Sequence, residues 1–313
     1  MSAEEKQEIK VADSTRQMKY ADVVRFETAQ REAYSDLNYN PVFRSSALFY
    51  ALRTTTIDTV IAFMNYWKIK NNNSEISALI TVRNRDGARC ARRYFAVTES
   101  VYRFALSELI PDMLEFEGSI EVEILSTRDL KYPMPAVQVF YLCPDGVSFV
   151  HANQRTFNSI DDMDRNTKFN GWQSGFDVYA TDQTNGFFAV VNGPRLVHDA
   201  KAKVLLFNSA GVSKDISFDL GEMLPYAARR IDLSDMKDAR MHLGQESGWC
   251  KVIIDTDGVF NRLVCGNLTR DGRRLSVTHS YYDLSSATDY VRDARPDEYT
   301  AKVTTGKSKS RER

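Results

Sequence analysis

The carboxylates best placed to do chemistry are Asp255 and Asp257, which follow an apolar run in the segment Val252-Ile-Ile-Asp-Thr-Asp-Gly-Val-Phe260. Two carboxylates at this spacing provide the hard oxygen ligands that divalent cations prefer, often together with substrate phosphates. The Asp-Gly step also favours a tight turn, because both residue types tolerate left-handed backbone geometry. The pair therefore predicts either a metal site in an enzyme acting on a phosphorylated sugar, or a simple turn.

Two short segments rich in polar and aromatic residues provide a second set of candidates. One contains His151, Asn153 and Arg155, and the other contains His279 and Tyr281. Side chains of these types stack against sugars and hydrogen-bond to them on β-sandwich faces. Alternate residues share one face of a strand, so His279 and Tyr281 are expected to point the same way. These residues are predicted to bind a ligand or partner, with aromatic packing in the core as the structural alternative.

One tryptophan completes the candidate set. Trp172 lies in the polar stretch Asn170-Gly-Trp-Gln173, between two regions of strand-like sequence. Grooves between domains are favoured ligand sites. We therefore expect Trp172 to line an interdomain groove, with burial in a core or interface as the alternative.

Other catalytic patterns are absent from the sequence. The four histidines show no His-Glu-Xaa-Xaa-His motif, and no Gly-Xaa-Ser-Xaa-Gly element is present. The glycines match neither the dinucleotide fingerprint nor the P-loop. The four cysteines are far apart and are predicted to be reduced thiols. No cofactor is expected, and these absences favour a non-enzymatic protein.

Charge and hydropathy narrow the partner classes further. The chain has 41 Lys plus Arg against 42 Asp plus Glu, a net charge of −1, so no overall field favours nucleic acid as a partner. The apolar stretch 47–69 is interrupted by Arg53 and Asp58, so no membrane span is expected. The acidic start of the sequence does not resemble a secretory signal. We expect a cytoplasmic protein whose partner is another protein or a small sugar-like ligand.

Short runs of β-branched and aromatic residues recur along residues 41–295 and are separated by turn sequences. The run Ser77–Val82 aligns with Lys203–Asn208 at a shift of 126 residues, and Asp145-Gly146 aligns with Asp271-Gly272 at the same shift. A repeat of this length has the size of a small β-sandwich. The sequence thus predicts an all-β fold of two tandem, internally duplicated sandwiches.

The predicted organisation has five parts. They are an N-terminal polar, helical arm (1–40), a first sandwich (41–165), a junction (166–186), a second sandwich (187–295) and a disordered basic tail (296–313).

The second repeat resembles a known family at the level of its strand pattern. It contains the strand Val204–Asn208, the Pro-Xaa-Xaa-Xaa-Arg turn Pro225–Arg229, and the late strands Trp249–Ile254 and Leu275–Ser280. This order is similar to the small β-sandwich of the sensory rhodopsin transducer family. The resemblance implies a β-sandwich fold and a cytoplasmic module that binds a partner and a small anionic or sugar ligand.

The leading functional hypothesis is a non-enzymatic binding or assembly module. It is expected to recognise a carbohydrate or a sugar nucleotide on a sandwich face or in the interdomain groove. The alternatives are the metal-assisted enzyme at Asp255 and Asp257, and a structural homo-oligomer in which sandwich edge strands pair between subunits and the polar N-terminal arm is exchanged.

Overall fold

A computed structural model of the protein describes residues 43–126, 137–152, 155–157, 172–255 and 262–279. The predicted N-terminal arm and basic tail lie outside these ranges, as do the candidate residues Asn153, Tyr281 and Asp257. The described chain is all-β, as predicted: it forms four sheets, and its strand ladders are antiparallel.

The first sandwich contains two sheets. Sheet 1 has the order β4-β3-β6-β1-β9, and sheet 2 has the order β5-β2-β7-β8. The strands are β1 (Phe43–Arg53), β2 (Asp58–Met64), β3 (Ile76–Asn84), β4 (Arg89–Ala96), β5 (Val101–Ala105), β6 (Phe116–Ser126), β7 (Val137–Cys143), β8 (Gly146–Ala152) and β9 (Arg155–Phe157). Two short helices, α1 (Tyr66–Asn71) and α2 (Leu106–Leu109), connect strands within it.

The second sandwich also contains two sheets. Sheet 3 has the order β10-β15-β12-β13, and sheet 4 has the order β14-β11-β16-β17. The strands are β10 (Trp172–Val178), β11 (Thr184–Val191), β12 (Val197–Phe207), β13 (Ser213–Met223), β14 (Ala228–Asp232), β15 (Gly248–Asp255), β16 (Arg262–Thr269) and β17 (Leu275–His279). A 3-10 turn (Leu233–Asp235) and helix α3 (Lys237–Leu243) precede β15.

Side-chain alternation explains the packing of each sandwich. Along β12, Ala202, Val204 and Leu206 are buried, while Lys201 and Lys203 between them are exposed. The buried set contacts inward-facing residues of sheet 4 such as Phe188 in one continuous core. This period of two is the pattern expected of a sheet with one covered face.

The two halves share one strand order. When β1 is matched with β10, β2 with β11 and so on to β8 with β17, sheet 1 without β9 has the same strand order as sheet 3. Sheet 2 then has the same strand order as sheet 4. Such a match is what a duplication would produce, although the duplication itself stays a prediction. Strand β10 and the start of β11 lie within residues 166–186, the predicted junction, and pair with β15 and β16.

The outer face of sheet 4, which faces away from sheet 3, packs on the first sandwich. Phe187, Ala189 and Val191 of β11 are fully buried in the same core as Tyr50 of β1. The adjoining loop adds polar contacts, since the Arg83 guanidinium lies 3.8 Å from the Tyr226 ring centroid. The outer face of sheet 1 is therefore partly covered by sheet 4, and the two sandwiches form one continuous structure.

One buried polar cluster marks this contact. The Tyr50 hydroxyl faces Glu117 and Arg230, and burial, together with the Glu117 charge, raises its pKa well above the usual value. Arg230 stacks over Phe187 at 4.5 Å and donates from Nε to Asp232 at 2.8 Å. Tyr50 therefore stays protonated at physiological pH.

Four free cysteines are present, as predicted, and Cys250 and Cys265 are buried. In the part of the chain that is described, no helix is long and apolar enough to cross a membrane.

Candidate functional site: a cationic cavity on the second sandwich

The structure brings together two of the predicted ligand-binding residues. His151 on β8 and His279 on β17 make a T-shaped ring contact with centroids 4.8 Å apart. The two edge strands lie side by side, and the Val277 N–H donates to Ser148 Oγ at 3.0 Å. The two histidines therefore meet where the edges of sheets 2 and 4 meet.

The remaining predicted residues are distributed over different strands. Arg155 lies in β9, which pairs with β1, and Trp172 begins β10 opposite Ile254. Asn153 and Tyr281 are not among the described residues. The proposed sugar site is thus represented by the His151–His279 contact alone, and its ligand role stays a prediction.

The predicted metal pair is only half described. Asp255 ends β15, is exposed, and lies opposite Lys201 in the sheet register. Asp257 falls in the 256–261 gap. Within the described ranges, no group of three or more His, Cys, Asp or Glu side chains gathers as a metal site would require. Metal binding by this pair therefore stays a prediction.

A different site is built at one end of the second sandwich. Three chain segments converge there: the turn before β11, the 3-10 turn with the start of α3, and the β16–β17 hairpin. They surround an open cavity of about 630 Å³. Its lining residues are Asp182, Ser234, Asp235, Lys237, Arg240, Met241 and Arg270.

Two arginines of the cavity are held by hydrogen bonds. Arg270 donates from Nη2 to Ser234 Oγ at 3.1 Å, and its backbone N–H donates to the Gln183 carbonyl at 2.9 Å. Arg240 forms an ion pair with Asp182 across the opening. These contacts orient both planar guanidinium groups before any ligand arrives.

The floor of the cavity is a buried hydrogen-bond network. Ser234, which is 1% exposed, donates from its N–H and its hydroxyl to the Asn185 side-chain oxygen. Asn185 Nδ2 in turn donates to Asp232 Oδ1 at 2.6 Å, and Arg230 donates to the same oxygen. Because Arg230 also faces Tyr50, hydrogen bonds connect the cavity floor to the contact between the sandwiches.

The charges of the cavity favour an anion that also has hydroxyl groups. Lys237, Arg240 and Arg270 supply three cations, against the carboxylates of Asp182 and Asp235. An arginine fork matches the oxygens of a phosphate or carboxylate in two-point contacts, and lysine adds a point charge. Carboxylates accept hydrogen bonds from sugar hydroxyls.

Sequence reasoning did not find this site. Arg270 precedes the Asp271-Gly272 turn, and Ser234 and Lys237 lie in a stretch without a catalytic or binding motif. A single arginine before an Asp-Gly turn is an ordinary surface feature. The polar Asp182-Gln-Thr-Asn segment is the one signal in the sequence, and its composition is equally typical of a linker.

Comparison with known proteins provides no family. The chain matches no protein-family model and no curated protein. Two crystal structures of Parabacteroides merdae β-glucuronidase, one with glycerol in its active site, are weakly similar, each with a TM-score of 0.16 and with 9% and 8% identity. Each match covers 78% of this chain and 28% of the β-glucuronidase chain. The chain thus spans little more than a quarter of those structures, and the similarity is too low to carry an argument.

Proposed function

We propose that the protein is a non-enzymatic binding module whose ligand is a small phosphorylated sugar held in the cationic cavity. The observation that carries the proposal is the convergence of Lys237, Arg240 and Arg270 from two chain segments around one opening. A volume of about 630 Å³ lies within the usual range of small-molecule sites.

Each part of the ligand has a matching group in the cavity. The phosphate fits Arg270, which donates to Ser234 on the cavity floor, and Lys237, which lines the same opening. The sugar hydroxyls fit the exposed carboxylate of Asp235 and the Arg240–Asp182 pair at the rim. Recognition of this kind needs no reacting group, in keeping with the absence of a catalytic motif from the sequence.

The test is isothermal titration of the full chain with inorganic phosphate, hexose phosphates, the parent hexoses and a nucleotide sugar. We expect the phosphorylated sugar to bind most tightly and the parent sugar to bind weakly or not at all. A hydrogen bond to a charged group contributes about 1.5 kcal/mol or more. Arg270→Ala and Lys237→Ala should therefore each weaken binding about tenfold or more.

The matched control is Arg274→Ala. Arg274 lies in the same hairpin, is largely exposed and points toward Asp145 instead of the cavity. This variant should bind as the wild type does. Equal binding by Arg270→Ala and the wild type, or no binding of any phosphorylated sugar, would overturn the proposal.

A further inference from the structure

The contact between the two sandwiches is made by sheet 1 of the first sandwich and sheet 4 of the second. The outer face of sheet 1 meets the outer face of sheet 4, with Tyr50 facing Arg230 and the Ala228 N–H donating to the Arg85 carbonyl at 2.8 Å. By strand order, sheet 1 corresponds to sheet 3, and sheet 4 corresponds to sheet 2. The outer faces of sheets 3 and 2 are therefore the counterparts of the two faces that meet, and they do not take part in this contact.

The outer face of sheet 2, the one turned away from sheet 1, exposes apolar side chains along its two edge strands, with Arg103 and Gln138 on the same face. Strand registers place Met64 beside Val101 and Phe140 beside Phe149 on this face, with Val147 further along β8. Val101, Val147 and Phe149 are exposed by 58%, 61% and 53%. An exposed apolar patch of this kind marks an interaction surface. On sheet 4, the corresponding strands carry Phe187, Ala189 and Val191, which the first sandwich covers completely.

The outer face of sheet 3, turned away from sheet 4, carries an exposed tryptophan near the start of β15 and charged side chains along β12 and β13. Trp249 is 48% exposed, lies against Gly175 and stands opposite Phe207 in the register. Lys203 and Asp215 form an ion pair of 2.8 Å on the same face. Tryptophan is among the residue types that most often contribute a large share of the binding energy of a protein interface.

We propose that the outer face of sheet 3 in one copy of the chain docks on the outer face of sheet 2 in a second copy. This contact repeats between molecules the arrangement that joins the two sandwiches within one molecule. The same operation then applies to each added copy, so the interface is head-to-tail and leads to a ring or to an open filament. The phosphorylated-sugar cavity takes no part in it, so this inference does not depend on the proposed function.

The test is analytical ultracentrifugation of the full chain over a concentration series, with two independent variants of the sheet 2 face and one of the sheet 3 face. The wild type should form species larger than a monomer that increase with concentration. Val101→Asp, Phe149→Asp and Trp249→Asp should each be monomeric with an unchanged circular dichroism spectrum. The matched control is Val212→Asp, because Val212 is 56% exposed and lies in the β12–β13 turn, outside the strands that form the two faces, and it should associate as the wild type does.

Mixing the variants decides the mode of contact. Val101→Asp keeps an intact sheet 3 face and Trp249→Asp keeps an intact sheet 2 face, so an equimolar mixture should form a dimer and stop there. A wild type that stays monomeric at its solubility limit would overturn the proposal. So would a Trp249→Asp variant that still self-associates, or a mixture that stays monomeric.

Discussion

The Asp145 carboxylate and the Arg273 guanidinium form a two-point ion pair across the contact between the two sandwiches. The distances are 2.9 Å from Nε to Oδ2 and 2.6 Å from Nη2 to Oδ1. The Asp145 N–H also donates to the Arg273 carbonyl at 3.1 Å. The sequence alignment placed their two turns in corresponding positions, so corresponding turns of the two halves bind each other directly.

This pair predicts an acid-dependent loss of stability. The hydrogen bond from Arg273 lowers the pKa of the Asp145 carboxyl. A lowered folded-state pKa means that the stabilisation is complete above the ordinary value of about 3.9 and is lost as the pH falls through the lowered value. Urea unfolding at a series of pH values should show a shallower decline below about pH 4 for Asp145→Asn than for the wild type. Because the pair is exposed, we expect only a small difference at neutral pH.

The control for this prediction is a double-variant cycle. Arg273→Gln should give the same shallower pH profile, and combining it with Asp145→Asn should add little. Fully additive effects would show that the two side chains do not stabilise the fold as a pair.

Asn185→Ala should destabilise the second sandwich by about 2 to 4 kcal/mol, because each buried group left without a partner costs about 1 to 3 kcal/mol. The Asn185 side chain bonds the Ser234 N–H and hydroxyl and the Asp232 carboxylate. Chemical denaturation provides the measurement. Asn208→Ala is the control, because Asn208 bonds two backbone N–H groups in an exposed turn and its loss should cost less. Equal losses from both variants would contradict the buried network.

Gly266→Ala should be strongly destabilising, by about 3 kcal/mol or more, as expected when a core is overpacked against a rigid neighbour. A Cβ atom at Gly266 would lie 1.9 Å from the Ser276 carbonyl oxygen, so β16 and β17 would have to separate. Thermal unfolding should show this loss clearly. Gly146→Ala serves as the control, because no atom lies within 4 Å of its added Cβ. A Gly266→Ala protein as stable as the control would disprove the close strand approach.

Thiol reactivity should divide the cysteines into two classes. Burial raises the pKa of Cys265 to about 12 and that of Cys250 further still. Since the thiolate is the reactive form, both should resist a disulfide reagent at pH 8 until the protein unfolds. Cys90 and Cys143 are only half-buried and should react first. Mass mapping of the labelled peptides checks this, and early labelling of Cys250 or Cys265 in folded protein would contradict it.

Local pattern was enough to predict the all-β class. Alternation such as that of Ala202, Lys203 and Val204 has a period of two, which is a property of neighbouring residues and is readable without a structure. The Asp-Gly turns likewise follow from short-range backbone preferences. The alternation fails where both faces of a strand are covered, as at Phe187 and Phe188, which are both buried.

The sequence by itself therefore determined the all-β class and the tight turns between neighbouring strands. Only the tertiary structure decided which faces are covered and which side chains surround the cavity. Arg270, Ser234 and Asp182 come from segments that are distant in sequence and meet only when β14, β11 and β16 pair side by side in sheet 4. No spacing rule along the chain encodes such a meeting, because it depends on which distant strands pair with each other and in which register.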